Sequence, residues 1–434
     1  MLWEVVDCAM LELRRLFLSV NPDFYYVFNS FLVFRLTSIS CVSFHCTLKQ
    51  SLPHPDVMAA LEVGHRVLID DGKMVVVVRE TSEPKGQWVK TEVMNDAMLS
   101  SRKGFNLPDT FVPGSALTAK DKKDLDFCLK NIDFDWVALS FVQEAGDILQ
   151  LRELMGDHPG KVIAKIEKPS AIDNIRAITD VCDGIMVARG DLGVEMLPED
   201  VPMLQKLIVD EARLQGKPVI VATQMLESMM DNPAPTRAEC SDIATAIYDG
   251  ADAVMLSGES AAGKYPVESV AMQQRVISRV ENDPMWRARS MPPALPSDGT
   301  FSDALMKSAC NLAKTMNAKC MVVLSDSGAS VMRCSRERPD VPILALTPHA
   351  GVARYLNLQK NVYAAVMDPK DMKDDSVFEK AIEIARQRVL VESNEDIVIA
   401  TAGIPYGTPG AANVIRVLSG DAGKPPAFTK IADR

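Results

Sequence analysis

Two carboxylates and one amine follow two neighbouring strand-like runs, and these three residues are the best candidates for chemistry in the sequence. Lys165 and Glu167 stand at the end of the apolar run Val162–Ile166, and Asp191 follows the run Gly184–Ala188. Side chains two residues apart on a strand point the same way, so Lys165 and Glu167 share one side. A divalent cation between the two carboxylates, beside the ammonium, would suit phosphoryl transfer or enolate chemistry. The alternative interpretation is a pair of strand-end salt bridges.

The elements that position these residues are predicted to be strands of a parallel sheet. Each run is short and rich in Val and Ile, as a strand buried on both faces should be. Helical patterns follow each strand, which is typical of a parallel arrangement. Five strands of this kind can be counted: Trp136–Phe141, Val162–Ile166, Gly184–Ala188, Pro218–Ala222 and Ala253–Leu256.

Polar residues gather after every one of these strands. They are Ser140, Lys165 with Glu167, Arg189 with Asp191, Thr223 with Gln224, and Ser257 with Glu259. A doubly wound sheet uses one or two such ends at its switch point, whereas a (β/α)₈ barrel uses them all. The pattern therefore favours a barrel with its active site at the carboxyl ends of the strands, although five of eight strands are identified. Structural hydrogen-bonding roles remain open for Thr223, Ser257 and Glu259.

Two further domains are predicted around the barrel. Short apolar runs separated by turns, with Asp71-Gly72 as a hairpin signal, indicate a small β domain over residues 64–106. The remaining boundaries place a barrel part at 52–63 and 107–283, a proline-rich linker at 284–299, and a C-terminal α/β domain at 300–434. Its core is placed on six residues: Met321, Val323, Leu344, Leu346, Val398 and Ile399.

Bulk properties exclude several classes of partner. A net charge of −11 argues against binding to nucleic acid or to an anionic membrane surface. Nine cysteines without a metal-ligand or CxxC spacing suggest free thiols in a reducing compartment, and no targeting signal is recognised. The expected location is the cytoplasm.

Four segments of this sequence resemble pyruvate kinase. They are AKIEK and GIMVARGDLGVE, which contain Lys165, Glu167 and Asp191, then PVIVATQMLESM from Pro218 and DGADAVMLSGESAAGKYPVE from Asp249. The resemblance runs from about Leu52 to the C-terminus. It implies an α/β fold, with an incomplete (β/α)₈ barrel, an inserted small β-barrel lid domain and a C-terminal α/β domain.

The resemblance also implies an activity and roles for particular residues. The implied reaction transfers a phosphoryl group from phosphoenolpyruvate to ADP, giving pyruvate and ATP in glycolysis. Glu167 and Asp191 would hold Mg²⁺ or Mn²⁺, and Lys165 and Thr223 would be catalytic. Substrate would contact Lys165, Arg189, Gly190, Asp191, Thr223 and Ser140. Members of the family are usually tetrameric.

The first 51 residues depart from the family pattern. No residues match the first barrel strands, which supply a phosphate-clamping arginine and the K⁺ ligands, so K⁺ is expected from the family while its ligands are absent. Phe34-Arg35-Leu36 faintly echoes the strand that ends in that arginine. A truncated or wrongly joined first exon would explain why the family pattern begins only near Leu52. Two alternatives to a catalytic kinase stay open: a non-catalytic pyruvate-kinase-like subunit or fragment, and a metal-dependent aldolase or lyase acting on pyruvate enolate.

A loop in the C-terminal domain is a candidate effector site by the same resemblance. Ser325, Ser327 and Ser330 would face a sugar phosphate, since small hydroxyl residues at a helix start suit a phosphate. Asp326 places a negative charge inside the loop, which opposes such a ligand. The alternative interpretation is a plain turn and N-cap.

Overall fold

The computed structural model describes residues 30–35, 45–50, 55–70, 72–97, 99, 103–111, 116–283, 299–372, 374–405 and 412–421. Two compact units divide the chain. The first comprises Met1–Ser115 and Gly193–Pro198, and the second comprises Ala116–Leu192 and Glu199–Arg434. The second unit contains both the barrel strands and the C-terminal domain.

The first unit is built on a six-stranded sheet of order β2-β1-β5-β4-β3-β6. Its strands are β1 (Ser30–Arg35), β2 (His45–Gln50), β3 (Arg66–Ile69), β4 (Met74–Thr81), β5 (Val89–Val93) and β6 (Phe105–Asn106), with helix α1 at Pro55–Ala60. The predicted hairpin is confirmed: β3 and β4 pair antiparallel, and Gly72 has a φ of 81° in the turn between them. Met74, Val76 and Val78 alternate into the buried face, as half-buried strands require.

The second unit begins with an open parallel sheet of order β11-β10-β9-β8-β7. The strands are β7 (Trp136–Leu139), β8 (Lys161–Ile166), β9 (Gly184–Ala188), β10 (Val219–Ala222) and β11 (Ala253–Met255), which confirms the five predicted strands. All residues of β9 and β10 are buried. In contrast, the outer strands β7 and β11 are mostly half-buried, and no described strand pairs with their outer edges.

Helices connect these strands. They are α2 (Ala119–Asn131), α3 (Ala145–Met155), α4 (Pro169–Asp173), α5 (Ile175–Val181), α6 (Arg189–Glu195), α7 (Val201–Leu214), α8 (Arg237–Asp249), α9 (Gly258–Ala261) and α10 (Pro266–Glu281). Three of them, α2, α3 and α8, begin with a capping box. The capping box predicted for α8 is present, because Thr236 accepts from the backbone N–H of Glu239 while the Glu239 carboxylate accepts from the N–H of Thr236. Gly250 ends α8 in a left-handed conformation.

The C-terminal domain is a second five-stranded sheet, of order β14-β13-β12-β15-β16, covered by helices. Its strands are β12 (Cys320–Leu324), β13 (Ile343–Thr347), β14 (Val362–Val366), β15 (Ile397–Gly403) and β16 (Ala412–Ser419). Its helices are α11 (Phe301–Thr315), α12 (Ala329–Arg336), α13 (Ala350–Leu356) and α14 (Ser376–Gln387). The six residues predicted to form its core are all 0% exposed.

Arg35 ends β1, which pairs with β2 and β5 in the six-stranded sheet, so the structure gives no support to the faint similarity between this segment and a barrel strand. Sequence reasoning missed α13 and β14. The predicted proline-rich linker lies outside the described residues over 284–298.

Candidate active site

Lys165, Glu167 and Ser140 meet where β7 and β8 end. The amine of Lys165 lies 2.6 Å from Oε1 of Glu167 and donates a hydrogen bond of 2.9 Å to the hydroxyl of Ser140. Strand pairing brings them together, since Leu139 is opposite Ala164 in the parallel register. The predicted shared side for Lys165 and Glu167 is therefore present in the structure.

Glu167 is a fully buried carboxylate. Burial raises its pKa above the ordinary value, against the lowering effects of Lys165 and the Phe141 N–H, and the nearby charge of Asp191 raises it further. Oε2 accepts a hydrogen bond of 2.6 Å from the backbone N–H of Phe141, a contact that sequence reasoning missed. Oε1 makes no regular hydrogen bond within the described part of the chain, although it is ion-paired with Lys165.

These observations fit a divalent cation. Asp191 lies in the first turn of α6, and its charge acts on Glu167, so both carboxylates belong to one electrostatic site. A cation would relieve their repulsion and share Oε1 with the Lys165 amine, which lies 2.6 Å from it. Across the described residues, no cluster of three or more His, Cys, Asp or Glu side chains could hold a metal. Two protein carboxylates with substrate oxygens suit Mg²⁺, which seldom has an all-protein shell.

Thr223 connects the end of β10 to the start of α6. Its Oγ1 accepts a hydrogen bond of 2.6 Å from the backbone N–H of Gly190 and donates to the carbonyl of Ala222 at 2.5 Å. The N–H of Gly190, predicted as a contact for substrate, is thus occupied by Thr223. A Cβ on residue 190 would lie 3.4 Å from Oγ1, which is an ordinary van der Waals contact.

The side chain of Arg189 has structural partners. Its guanidinium forms two hydrogen bonds to Asp242, of 2.6 and 2.7 Å, and one of 2.8 Å to the carbonyl of Thr223. Arg189 is only 10% exposed at its side chain. This geometry supports a role in holding the β10 end against α6, whereas direct contact of the guanidinium with substrate remains a prediction. The partner Asp242 was not found from sequence.

Two strand ends around the site carry three non-glycine residues with a left-handed backbone. Phe141, Thr223 and Gln224 have φ values of 55°, 73° and 57°. For a β-branched threonine this conformation is an outlier, and such strain concentrates at functional sites. Among the predicted site residues Thr223 has this conformation, and Phe141 directly follows the predicted site residue Ser140.

The predicted pair Ser257 and Glu259 has a local structural explanation. The buried carboxylate of Glu259 accepts hydrogen bonds from the backbone N–H groups of Leu226 and Ser257, at 3.0 and 2.7 Å, which favours a structural role for the two residues.

The Ser325–Ser330 loop forms a turn in which Ser325 Oγ accepts from the N–H of Gly328, and Gly328 is the N-cap of α12. Asp326 lies 3.0 Å from His349 and is therefore partly neutralised whenever that histidine is protonated. Binding of an effector to Ser325, Ser327 and Ser330 remains a prediction.

Comparison with known proteins identifies close relatives of this chain. The pyruvate kinase barrel-domain family matches residues 42–270, and the pyruvate kinase alpha/beta-domain family matches residues 303–418. The first match begins about ten residues before Leu52, where the sequence alone placed the start of the resemblance. A pyruvate kinase of Methylorubrum extorquens is 43% identical over 84% of this chain and 75% of its own length. One from Agrobacterium vitis is 45% identical over 84% of this chain and 76% of its own length.

A solved structure shows the same fold. The crystal structure of a pyruvate kinase from Cryptosporidium parvum aligns with a TM-score of 0.79 at 32% identity, covering 90% of this chain and 79% of its own. Within the described residues, no helix has the length and apolar character needed to span a membrane.

Proposed function

This chain belongs to the pyruvate kinase family, and we propose that its phosphotransferase reaction is carried by Lys165, Glu167, Asp191 and Thr223. The family reaction moves a phosphoryl group from phosphoenolpyruvate to ADP. The observation that supports these residues is their convergence: Lys165 contacts Glu167, the charge of Asp191 reaches Glu167, and Thr223 bonds to the residue before Asp191.

Glu167 and Asp191 would hold the divalent cation. When bound, it supplies positive charge to the oxygens of phosphoenolpyruvate and the phosphoryl group. Glu167 is fixed for this role by the Phe141 N–H, and its burial keeps competing water away.

Lys165 would stabilise the transferring phosphoryl group. Its ammonium is held between Glu167 and Ser140, so a cation shared with Glu167 leaves the amine free to turn to an incoming phosphate. A positioned positive charge is the main catalytic device in phosphoryl transfer, where the protein does little covalent chemistry.

Thr223 would position the proton-donating water near the enolate carbon. Its hydroxyl has a defined orientation because it accepts from Gly190 and donates to Ala222. A water bonded to this oxygen would deliver the proton that turns enolpyruvate into pyruvate.

The phosphate-clamping arginine of the family has no counterpart on a described barrel strand. A single arginine on a phosphoryl transition state is worth roughly 10³–10⁵ in rate. The turnover of this chain relative to that of its relatives therefore measures whether another residue takes this place. We also carry over from the family a homo-oligomeric state, cytoplasmic location and K⁺ stimulation, the last of which should be weak without its ligands.

A lactate-dehydrogenase-coupled assay with phosphoenolpyruvate, ADP and Mg²⁺ tests the proposal. Turnover should vanish in Lys165→Met and persist in Lys123→Met, a change on the exposed face of α2. Turnover from a contaminating host enzyme would be the same in both variants, so the comparison also reveals contamination. A folded chain with no Lys165-dependent turnover would contradict the proposal and favour a non-catalytic subunit, and oxaloacetate decarboxylation without nucleotide would favour the lyase hypothesis.

A further inference from the structure

A cavity of about 200 Å³ lies between the amino ends of the barrel strands and helix α12 of the C-terminal domain. Its wall includes Trp136, Lys161, Asp183, Lys217, Arg333 and Arg336. A water takes about 30 Å³ of liquid volume, so the space exceeds one ordered water. It is also below the roughly 300–1,000 Å³ of drug-sized pockets, which indicates a compact occupant. The predicted catalytic residues lie at the opposite, carboxyl ends of the same strands.

The cavity wall has an excess of positive charge. Four basic side chains face one carboxylate, Asp183, which is already bound by Arg152 at 2.7 Å and lies 3.8 Å from Lys161. Lys217 donates to the carbonyl of Cys182 at 2.8 Å, and none of the described carboxylates lies within ion-pair distance of it. A cleft lined by one sign of charge concentrates the opposite ion.

Arg336 adds a buried donor to this wall. The residue is only 6% exposed, and one of its terminal nitrogens is ion-paired with Asp303 and lies 3.5 Å from Glu337. The other donates to the carbonyl of Leu214 at 3.3 Å, and the buried Nε has no hydrogen-bond partner among the described residues. Arg336 is therefore incompletely satisfied as a donor, and an anion that accepts a hydrogen bond from Nε would satisfy it.

An aromatic corner makes one side of the cavity apolar. The rings of Trp136 and Tyr355 meet edge to face, with centroids 6.2 Å apart, and the Lys161 amine lies 5.2 Å from the Tyr355 ring centroid. Burial raises the pKa of Tyr355 to about 12, so its hydroxyl stays protonated and adds no negative charge. Carbon atoms of a ligand would pack on this corner while its charged groups face Lys217 and Arg333.

We propose that this cavity binds a compact organic dianion, with phosphate or carboxylate groups on a small carbon skeleton. Such a ligand would join the barrel strands to α12, because each contributes cations to the wall. It would also act on the Ser325–Ser330 loop, since the Tyr355 hydroxyl donates to the carbonyl of Ser327 and α12 begins directly after Gly328. This site is separate from the proposed phosphotransferase site, and its test does not depend on turnover.

Binding to the full chain can be followed by the fluorescence of Trp136 and by thermal shift. The probes are glycerol 3-phosphate and malate, with inorganic phosphate as the bare anion. We expect saturable binding of at least one organic probe at millimolar concentration or below, weakened by added salt. Losing one charge-assisted hydrogen bond should weaken it by about tenfold or more in Lys217→Gln and in Arg333→Gln.

Two controls make the result decisive. Lys122→Gln, on the exposed face of α2, should bind as the wild type does, and Trp136→Phe should bind with loss of the fluorescence change. If neither organic probe saturates, or if all variants bind equally, the proposal is overturned. Equal affinity for inorganic phosphate would overturn the organic specificity.

Discussion

The backbone N–H of Gly190 donates to the hydroxyl of Thr223 at 2.6 Å, and this one bond ties the end of strand β10 to the first turn of helix α6. Asp191 is the next residue, so the position of a proposed metal ligand depends on a side chain from the neighbouring strand. Thr223 has a φ of 73°, a conformation that costs on the order of 1–3 kcal/mol for such a residue.

At Thr223, the effect of a substitution on kcat should be distinguishable from the effect of backbone strain on the free energy of unfolding. Thr223→Ser keeps the hydroxyl and should retain most turnover, whereas Thr223→Val should lose about 10²-fold or more in kcat, because general acid–base groups contribute at least this much. The neighbouring exposed Gln224, with a φ of 57°, provides a control: Gln224→Gly should raise the free energy of unfolding by about 1 kcal/mol at unchanged kcat. Equal kcat for Thr223→Ser and Thr223→Val would contradict the role of the hydroxyl.

Metal affinity should depend on both carboxylates but not on the amine. Asp191→Ala and Glu167→Gln should each weaken Mn²⁺ binding by at least about tenfold, since even partners outside the ligand shell cost 10–100-fold. Lys165→Met should bind Mn²⁺ at least as well as the wild type, because it removes a positive charge 2.6 Å from Glu167. Electron paramagnetic resonance of free Mn²⁺ measures the Mn²⁺ affinity of the wild type and of the three variants. An unchanged affinity in Asp191→Ala would refute the ligand assignment.

Removing Asp242 should destabilise the barrel part through Arg189. The substitution Asp242→Ala leaves a guanidinium that is 10% exposed without its carboxylate, and breaking such a pair costs about 3 kcal/mol. Asp126→Ala breaks an exposed pair with Lys130 and should cost well under 1 kcal/mol. Urea unfolding compares the two. A small cost for Asp242→Ala would show that Arg189 finds other partners.

Asp252 should be essential to the seam between the barrel strands and the C-terminal domain. It binds Arg338 through two bonds of 2.7 and 2.8 Å and accepts from the backbone N–H of Lys360 at 2.9 Å. The two side chains are 1% and 8% exposed, so Asp252→Ala should cost about 3–5 kcal/mol. Unfolding should then proceed in two transitions instead of one.

An exposed pair across the same seam provides the comparison. Asp133, 79% exposed, lies 3.2 Å from Arg354, and Asp133→Ala should change the free energy of unfolding by less than about 1 kcal/mol. Similar changes in the free energy of unfolding from Asp133→Ala and Asp252→Ala would contradict the assignment of the interface stability to the buried Asp252–Arg338 pair.

The small β domain should lose stability in acid through Asp109. The hydrogen bonds from Arg66, of 2.7 to 2.9 Å, hold the pKa of Asp109 below its ordinary value. A carboxyl with a lowered folded pKa stabilises the fold above the unfolded pKa of about 4, and this contribution is lost as pH falls through the folded pKa. The pair is partly exposed, so the contribution is about 1 kcal/mol or less.

Amide hydrogen exchange in β3 measures this effect in wild type and Asp109→Asn. Protection should differ between the two proteins at pH 6, and the difference should shrink steadily below pH 4. A difference that is constant down to pH 2 would contradict the assignment.

The strands could be predicted because their physical signal is local. Runs such as Val219–Ala222 are apolar throughout, as buried parallel strands must be, and polar residues at their ends marked one edge of the sheet. The contacts that fix the site could not be read in this way. Phe141 and Glu167 are 26 residues apart, and Arg189 and Asp242 are 53 apart, so each pair depends on the completed fold.

Backbone strain and short elements could not be predicted from the residue pattern either. Thr223 has a left-handed φ without being Gly or Asn, the residues that normally mark this conformation. Helix α13 has seven residues, and strand β14 has exposed Tyr363 and Val366, so neither offers a clear period.

The open sheet has a consequence for assembly. Strands β7 and β11 each present a row of backbone N–H and C=O groups that no described strand takes up. Each edge is therefore open to pairing with a further strand, supplied by another part of the chain or by a second polypeptide.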